Sequence, residues 1–353
     1  MSSVQHAPPG GAPGSADGAA APGAPAPSPA RGVSVVVPVY NSAAILPRLV
    51  ERLEPVLRAC ADAYELVLVN DGSRDDSWST VERLARAHPW VRGVDLMRNY
   101  GQHNALLCGV RAARHAIVVT MDDDLQHPPE EIPALLAALE RGNDVVYGAP
   151  LREQHGVLRD LASRVTKLAL AQAMGAPIAR RVSAFRALRT PLRDAFASYD
   201  GYYVSIDVLL TWGTTRFAAV PVEHAPRQDG VSNYTFRKLF THAMNMMTGF
   251  STFPLQIASL IGFGFTIFGF VVLAWVIGRY LVHGSVVPGF PFLASVIAIF
   301  SGAQLFALGI IGEYLARVHF RTMNRPPYTV RSLSEPSSPP ASTTDGSTAS
   351  PRR

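Results

Sequence analysis

Two long uncharged segments near the C-terminus place the strongest constraint on the fold of this chain. Residues 257–278 and residues 292–312 contain no Asp, Glu, Lys or Arg. At a rise of about 1.5 Å per residue, each segment spans about 30 Å as a helix, which is the thickness of the hydrocarbon core of a bilayer. Two buried helices of a large soluble core are the alternative, but two adjacent runs of this length are typical of membrane spans. The sequence therefore predicts a hairpin of two transmembrane helices within residues 255–316.

The basic residues around these segments predict their orientation. Basic side chains flank the pair on both outer sides, whereas the connector between the two segments contains a single arginine, Arg279. By the positive-inside rule, both flanks and the domain that precedes them lie in the cytoplasm, including a cytoplasmic segment over residues 317–331. The flanking residues are Arg237, Lys238, His242, Arg317, Arg321 and Arg325.

Residues 235–254, just before the first span, have an amphipathic pattern. Apolar side chains recur there at spacings of three, four or seven, with basic residues beside them. This pattern predicts an interfacial helix on the membrane surface, and a helix packed on the domain's own core is the alternative. The apolar positions are Phe236, Leu239, Phe240, Ala243, Met247 and Phe250.

Residues 32–234 show apolar, β-branched stretches that alternate with amphipathic ones. Fully apolar strands separated by single helices predict an α/β domain with a mostly parallel sheet covered on both faces. The predicted strands are residues 33–37, 65–69, 91–96, 116–121 and 144–147, and the predicted helices are residues 43–61, 77–87, 103–114 and 129–141.

The remaining composition predicts disordered ends and excludes several classes of protein. Residues 1–31 and 332–353 are rich in Ala, Gly, Pro, Ser and Thr, so both are predicted to be disordered tails, and the first lacks the apolar stretch of a signal peptide. The net charge of +5 includes no lysine-rich block, so no nucleic-acid partner is expected. Cys60 and Cys108 lack the spacing of a disulfide framework or zinc ribbon. Neither a dinucleotide-binding glycine motif nor a P-loop is present.

Three consecutive aspartates follow the fourth predicted strand. Asp122, Asp123 and Asp124 precede Leu125 and Gln126. In extended backbone, side chains two residues apart point the same way, so Asp122, Asp124 and Gln126 are expected on one side and Asp123 on the other. Oxygen ligands at the carboxyl end of a strand, where open α/β sheets bind their ligands, suit Mg²⁺ or Mn²⁺ shared with substrate phosphates. A solvated acidic loop is the alternative.

Polar residues also follow the first two predicted strands. Pro38, Tyr40 and Asn41 end the first strand, and Asp71 lies in an N-D-G-S stretch after the second. A tyrosine that stacks on a base would form a nucleotide pocket together with a nearby carboxylate that accepts a hydrogen bond from an N–H of that base. Taken singly, each stretch also fits an ordinary turn.

In combination, these motifs resemble those of the family 2 glycosyltransferases with the GT-A fold, and more closely the polyprenyl-phosphate glycosyltransferases. Within that group the chain is most similar to the bacterial undecaprenyl-phosphate formamido-arabinose transferases and the bactoprenol glucosyltransferases. The resemblance covers residues 33 to about 328. It rests on V-V-V-P-V-Y-N (35–41), N-D-G-S (70–73), R-N-Y-G-Q-H (98–103), D-D-D-L-Q-H-P-P (122–129), Arg227 with S-N-Y (232–234), and G-A-Q (302–304) with G-E-Y (312–314).

The resemblance implies a role for each matching residue. One set of residues holds the nucleoside, a second holds the metal ion and diphosphate, and a third contacts phosphate or covers the site. The first set matches Pro38, Tyr40 and Asp71, the second matches Asp122, Asp124 and Gln126, and the third matches Arg227, Ser232 and Tyr234.

Three positions depart from the family pattern. Ser42 and Asn233 stand where Glu and Lys are common, and Ala184 replaces an Asp that could accept a proton. A lipid monophosphate is already largely dianionic at neutral pH, so it can attack a sugar without a protein base. We expect Arg186 and Arg227 to hold this phosphate, because a guanidinium can grip it with two parallel bonds.

The expected activity is the inverting transfer of a sugar from a nucleotide diphosphate, with UDP favoured, to polyprenyl phosphate at the cytoplasmic face of the inner membrane. A non-catalytic membrane scaffold and a processive polysaccharide synthase are the alternatives. The synthase would need more spans and a Q-x-x-R-W stretch, which this sequence lacks. The resemblance also points to a homo-oligomer packed through the spans, where Gly262, Gly264 and Gly269 would allow close helix contact.

Overall fold

Eight strands form one mixed sheet in the order β7-β5-β6-β4-β1-β2-β3-β8 within the described part of the chain. The computed structural model describes residues 31–150, 178, 181–201, 203–223, 253–283, 290–323 and 325–336. The strands are β1 (Gly32–Val39), β2 (Ala63–Asn70), β3 (Val91–Leu96), β4 (Ile117–Thr120), β5 (Val145–Pro150), β6 (Arg186–Arg189), β7 (Phe217–Val222) and β8 (Val330–Ser334).

The centre of the sheet is parallel, as the sequence predicts. Strand β1 pairs in parallel with β2 on one side and β4 on the other, so that Val36 lies opposite both Val67 and Thr120. Every residue of β1 is buried, which is what an apolar strand covered on both faces requires. The carboxyl ends of β1, β2 and β4 consequently meet at one edge of the sheet.

Seven α-helices accompany these strands in the described residues. Helix α1 starts at Leu46, later than predicted, because residues before it form a turn in which the Ser42 carbonyl accepts the Ile45 N–H (3.1 Å). The predicted helix over residues 129–141 begins with a 3₁₀ turn at Pro129–Glu131. The helices are α1 (Leu46–Cys60), α2 (Ser77–Ala87), α3 (Gln102–Ala112), α4 (Ile132–Glu140), α5 (Ile206–Leu210), α6 (Phe253–His283) and α7 (Phe290–Thr322), and a second 3₁₀ helix covers Thr190–Phe196.

Three strands that the sequence does not predict complete the sheet. Strand β6 lies antiparallel between β4 and β5, and β7 pairs in parallel with β5. Strand β8 is the edge strand and lies antiparallel to β3, and Glu335 just after it forms ion pairs with Arg92 and Arg114, both at 3.0 Å. The prediction that the disordered tail begins at residue 332 is therefore wrong, because residues 332–334 pair with β3 and Glu335 is fixed by its ion pairs.

Helices α6 and α7 contain the two uncharged segments and are longer than predicted. The stretches long and apolar enough to cross a membrane are Phe253–Arg279 and Ile299–Thr322. Glu313, which directly follows the second uncharged segment, lies inside α7 and forms an ion pair with Arg317 one turn later (2.8 Å). The helices contact each other at the rings of Phe265 and Phe300. The predicted interfacial helix over residues 235–254 lies almost entirely outside the described residues.

Candidate active site

The turns that follow β1, β2 and β4 are hydrogen-bonded to one another. The Asn41 N–H donates to Ser73 Oγ (3.0 Å), and the Arg74 N–H donates to Asn41 Oδ1 (2.8 Å), which joins the first two turns. The Tyr40 N–H donates to Asp123 Oδ2 (3.4 Å), which joins the first turn to the acidic one. Three stretches selected from the sequence as candidate site residues thus lie together at the carboxyl edge of the sheet.

The end of β1 presents one exposed ring above a buried strand. Tyr40 is 44% exposed, so its ring is accessible for stacking. Asn41 has a φ of 55°, a left-handed conformation that asparagine tolerates better than most residues. Pro38 lies within β1, buried and opposite Val69. The ring that faces solvent at this edge is therefore that of Tyr40.

Asp71 is buried and holds the loop that precedes α3. Its Oδ1 accepts the Tyr100 N–H (2.7 Å), and its Oδ2 accepts the Gly101 N–H (2.8 Å). Burial raises the pKa of Asp71, although these two N–H bonds act against that rise. Both oxygens thus fix the backbone of the R-N-Y-G-Q-H loop, a role that the sequence alone did not suggest.

Gly72 lets this loop approach the turn after β2. Its φ is +62°, and a Cβ on it would lie 2.5 Å from both the Arg98 carbonyl carbon and the Asn99 nitrogen. Both atoms belong to the backbone, so they cannot move aside as a flexible side chain would. Any residue with a side chain at this position would push the two motifs apart.

The three aspartates do not lie on an extended strand. Strand β4 ends at Thr120, and residues 123 and 124 form a turn that continues into Leu125 with a φ of 56°. The predicted alternation along a strand is therefore the wrong reason for their arrangement. The turn nevertheless separates them, because Asp122 Oδ1 accepts a hydrogen bond from Gln102 Nε2 (2.6 Å) while Asp123 bonds to the turn after β1.

Asp123 joins the acidic turn to Ser42. The Ser42 hydroxyl donates to Asp123 Oδ2, so the residue that departs from the family pattern has a defined partner here. Burial is the first cause that raises the pKa of Asp123, and the neighbouring charge of Asp124 adds to the rise. The carboxylate of Asp123 therefore serves to connect two turns, and it leaves Asp122 and Asp124 as the candidate metal ligands.

The donor set of this turn fits a divalent ion that is completed by substrate. Within the described residues, no group of three or more His, Cys, Asp or Glu side chains forms a metal cage. Asp122, Asp124 and Gln126 supply two carboxylates and one amide from a single turn, and the Gln126 N–H donates to Asp124 Oδ1 (3.1 Å). Mg²⁺ is commonly bound by one or two carboxylates together with substrate phosphates. These residues match that arrangement.

Arg186 does not face the site. It is 2% exposed and forms an ion pair with Asp207, which also accepts a hydrogen bond from the Tyr147 hydroxyl (3.0 Å). Burial, followed by the charge of Asp207, raises the pKa of Tyr147 well above its ordinary value. The prediction that Arg186 holds an acceptor phosphate is wrong, because β6 directs this side chain into the core.

The other predicted phosphate contacts lie outside the described residues. These are Arg227, Ser232, Asn233 and Tyr234. Ala184, at the third departure from the family pattern, is described, and its carbonyl accepts the Thr120 hydroxyl (2.8 Å).

A cavity of about 310 Å³ lies beside the acidic turn. Three segments line it: the loop before α3 with the start of that helix, the residues before α5, and the residues after α7. Gln102 is part of this lining and also bonds to Asp122, so the cavity adjoins the candidate metal ligands. The lining residues are Arg98, Asn99, Tyr100, Gly101, Gln102, His103, Asn104, Tyr203, Val204, Arg325, Pro326 and Pro327.

The mixed sheet, with carboxylates at the carboxyl edge of its central strands, defines a GT-A glycosyltransferase domain. Residues 34–195 match the model of the family described as "Glycosyl transferase family 2". The chain belongs to this family, in its polyprenyl-phosphate branch.

Curated relatives match over nearly the whole chain. The undecaprenyl-phosphate 4-deoxy-4-formamido-L-arabinose transferase of Pseudomonas fluorescens is 36% identical over 328 residues, which are 91% of this chain and 97% of the relative. The transferase of the same name from Shewanella sediminis is 35% identical over 305 residues, covering 85% of this chain and 92% of the relative.

Among solved structures, glucosyl-3-phosphoglycerate synthase from Mycobacterium tuberculosis, in complex with Mn²⁺, UDP and glucosyl-3-phosphoglycerate, is similar with a TM-score of 0.47 and 22% identity. The match covers 62% of this chain and 78% of that structure.

Proposed function

We propose that this chain transfers a sugar from a UDP-sugar to polyprenyl phosphate at the cytoplasmic face of the inner membrane, with inversion at the anomeric carbon. The observation that carries the proposal is the joining of the acidic turn after β4 to the turns after β1 and β2. Two apolar helices in the same chain, and relatives named as undecaprenyl-phosphate sugar transferases, support the lipid acceptor.

The nucleoside would lie against the turns after β1 and β2. The exposed ring of Tyr40 offers a stacking surface, and Pro38 and Asn41 shape the turn that carries it. Asp71 keeps the adjacent loop closed through its bonds to two N–H groups. The loop residues Ser232 and Tyr234 are proposed to cover the bound donor, as the family resemblance implies.

Asp122, Asp124 and Gln126 would hold Mg²⁺ or Mn²⁺ at the diphosphate. When bound, such an ion neutralises charge on the departing diphosphate. The protein's own contribution is to aim the carboxylates: Gln102 fixes Asp122, and the Gln126 N–H fixes Asp124. Carboxylates held in this way need little rearrangement when the donor arrives.

The acceptor phosphate would attack without a protein base. One of its oxygens forms a bond to the anomeric carbon while the bond from that carbon to the diphosphate oxygen breaks, and the electron pair leaves with the diphosphate. A single displacement of this kind inverts the configuration. Since the attacking phosphate is largely dianionic at neutral pH, Ala184 in place of Asp does not prevent the reaction. Arg227 is proposed to hold this phosphate in line.

The membrane placement follows from the charges beside the helices. Arg317 and Arg321 lie in the last two turns of α7, and the catalytic sheet connects to the end of that helix through β8. We therefore place the end of α7 and the catalytic domain on the cytoplasmic side.

The test is a transfer assay with the full-length protein in detergent micelles. Radiolabelled UDP- and GDP-sugars, including the 4-deoxy-4-formamido-L-arabinose donor, are incubated with undecaprenyl phosphate and Mg²⁺, Mn²⁺ or EDTA. Labelled lipid is expected with a UDP-sugar and a divalent ion, and not with EDTA. If no donor labels the lipid and UDP does not bind in the presence of either ion, the chain is a scaffold that retains the fold.

A further inference from the structure

The cavity beside the acidic turn has a basic lining. Among its lining residues are two arginines, Arg98 and Arg325, and no Asp or Glu. Within the described part of the chain, neither arginine forms a salt bridge; the Arg98 guanidinium lies 4.3 Å from the centre of the Tyr100 ring. Burial raises the pKa of Asp71, and the nearby charge of Arg98 acts against that rise, but Asp71 does not line the cavity. Two cationic side chains at a cavity without a lining carboxylate favour an anionic ligand.

The start of α3 adds to this preference. Gln102, the first residue of α3, lines the cavity, and the N-terminal end of a helix carries a partial positive charge. The helix has 11 residues, so its dipole is developed. The arginines and the helix end therefore both attract an anion.

The position of Arg325 relates the cavity to the membrane. Helix α7 ends at Thr322, and its apolar stretch Ile299–Thr322 reaches that same residue. Arg325 therefore follows the end of the helix that we propose leaves the bilayer on the cytoplasmic side, which is the side of the acceptor phosphate.

The segment that carries Arg325 is fixed to the catalytic sheet. The Met97 N–H donates to the Thr329 carbonyl (2.9 Å), and Arg331 forms an ion pair with Asp95 (3.4 Å). Strand β8 then pairs with β3. The chain thus returns from the membrane directly onto the sheet, and these contacts hold Arg325 at the cavity.

The cavity is also next to the reaction. Gln102 lines it and donates to Asp122 Oδ1 (2.6 Å), one of the two candidate metal ligands. A phosphate in the cavity would accordingly be one side chain away from the diphosphate of a bound donor.

We propose that this cavity binds the phosphate of the lipid acceptor, and that Arg325 and Arg98 hold it together with Arg227. The inference rests on the proposed function for the identity of the lipid. It assigns acceptor binding to the segment after the second membrane helix. This segment is distinct in sequence from the three turns after β1, β2 and β4, which we call the donor edge because the nucleotide sugar is proposed to bind there.

A binding measurement tests this without any donor or metal. Tritiated undecaprenyl phosphate is bound to the full-length protein in detergent micelles, and tritiated undecaprenol serves as the ligand without phosphate. Arg325→Ala is expected to weaken binding of the phosphate lipid about 10- to 100-fold, the range for loss of a charge-assisted hydrogen bond. Arg325→Lys should recover part of the loss, and undecaprenol should bind equally weakly to all variants.

The matched control is Arg86→Ala, which removes an exposed arginine of α2 outside the cavity lining. Its affinity for the lipid should stay within about twofold of the wild type. Arg98 lines the same cavity from the loop before α3, so Arg98→Gln should also weaken binding. With two variants in different segments, a folding defect in one of them does not decide the result. The unfolding temperature of each variant is measured in parallel.

Several outcomes would overturn the assignment. Unchanged lipid binding in both Arg325→Ala and Arg98→Gln would overturn it. So would a loss of UDP binding in these two variants while their lipid binding stays intact. Competition by free inorganic phosphate as strong as that by the lipid would make the cavity a site for free phosphate.

The transfer assay distinguishes a failure of this inference from a failure of the proposed function. In the transfer assay, Arg325→Ala should raise the KM for the lipid and leave the KM for the donor unchanged. If the wild type shows no transfer and no UDP binding, the proposed function fails, while the lipid-binding measurement still decides the role of the cavity.

Discussion

The donor edge and the basic cavity are neighbours, yet they are built differently. The donor edge consists of three turns that follow adjacent strands, and hydrogen bonds such as those of Asn41 and Asp123 connect the turns directly. The cavity is lined by segments far apart in the chain, and its outer wall, Arg325–Pro327, depends on strand β8 for its position. This difference shows that the sheet itself assembles the donor edge. The basic cavity, the proposed acceptor site, forms only when the segment after α7 docks on the sheet.

The largest expected effect is loss of transfer when the donor edge loses a metal ligand. Asp124→Asn keeps the side-chain shape and an oxygen for the Gln126 N–H, so the turn should be retained. Transfer should fall about a thousandfold, because charge neutralisation at the leaving group contributes several kcal/mol and about 1.4 kcal/mol is a factor of ten. The rate of labelled lipid formation and the metal-dependent binding of UDP are the measurements.

If the donor edge and the basic cavity are independent, Asp124→Asn should leave the cavity intact. Binding of undecaprenyl phosphate without donor should be unchanged, and Glu82→Gln at a partly exposed position of α2 should alter neither property. Undiminished turnover in Asp124→Asn would remove the metal assignment, and a parallel loss of lipid binding would show that the two sides are not separable.

The second effect concerns stability, because Arg186 belongs to neither side of the site. Arg186→Met removes one member of a buried ion pair and leaves Asp207 uncompensated, which should cost about 3 kcal/mol of unfolding free energy. Denaturant unfolding of the full-length protein in micelles is the measurement. The double variant Arg186→Met with Asp207→Asn should recover part of the loss. A stable Arg186→Met variant with a raised KM for the lipid would restore Arg186 as a phosphate ligand.

The donor edge could be located from the sequence because its residues follow strands that are themselves recognisable. The apolar runs that become β1 to β5 are marked by β-branched residues, and their order implies where the carboxyl ends meet. The α/β class and the grouping of Tyr40, Asp71 and Asp122 were accessible in this way, and the resemblance of the motifs to a known family implied the GT-A fold. The direction of individual side chains was not, since Arg186 fits the family motif and yet points into the core.

The basic cavity could not be predicted, because no local pattern marks it. Strand β8 has the sequence V-R-S-L-S, whose alternating polar residues resemble the tail that follows, and only pairing with β3 makes it a strand. The four residues of β6 are similarly too short and too charged to stand out. Long-range pairing decides these elements, and through them the position of Arg325.

Gly72 lies where the two sides meet, so a substitution there should disturb both. Gly72→Ala combines a left-handed backbone with contacts of 2.5 Å to the backbone of Arg98 and Asn99, and should cost about 3 kcal/mol of unfolding free energy. Gly142→Ala is the matched control, because Gly142 also has a positive φ (+93°) but nothing lies within 4 Å of its Cβ position. It should cost only the backbone term of about 1 kcal/mol.

The difference between the two alanine variants isolates the clash with the R-N-Y-G-Q-H loop. Denaturant unfolding gives both free energies, and UDP binding and lipid binding should each weaken in Gly72→Ala alone. Equal costs for the two variants would mean that the loop moves aside freely, and the two sides would then be less closely connected than their contacts indicate.

The smallest effect tests the docking of β8, on which the cavity depends. Arg92 first, and then Arg114, lower the pKa of Glu335 below its ordinary value of 4.5. Because the folded-state pKa is the lower one, the carboxylate adds stability above that ordinary value and loses it as the pH falls through the folded-state pKa. Glu335 is 42% exposed, so solvent screening limits the contribution to about 0.5 kcal/mol. The wild type should therefore be slightly more stable than Glu335→Gln at neutral pH, and this difference should disappear as the pH falls through the folded-state pKa of Glu335.

Lipid affinity should follow the same pH dependence, since a β8 that docks less tightly holds Arg325 less firmly. At neutral pH, Glu335→Gln should bind undecaprenyl phosphate about twofold more weakly, which corresponds to about 0.4 kcal/mol. UDP binding at the donor edge should be unaffected, and Glu82→Gln, which loses only an exposed pair with Arg86 at 3.6 Å, should match the wild type in both ligands. A stability gap that widens on acidification would contradict the lowered pKa. An equal loss of UDP binding would show that the donor edge, too, depends on the segment that returns from the membrane.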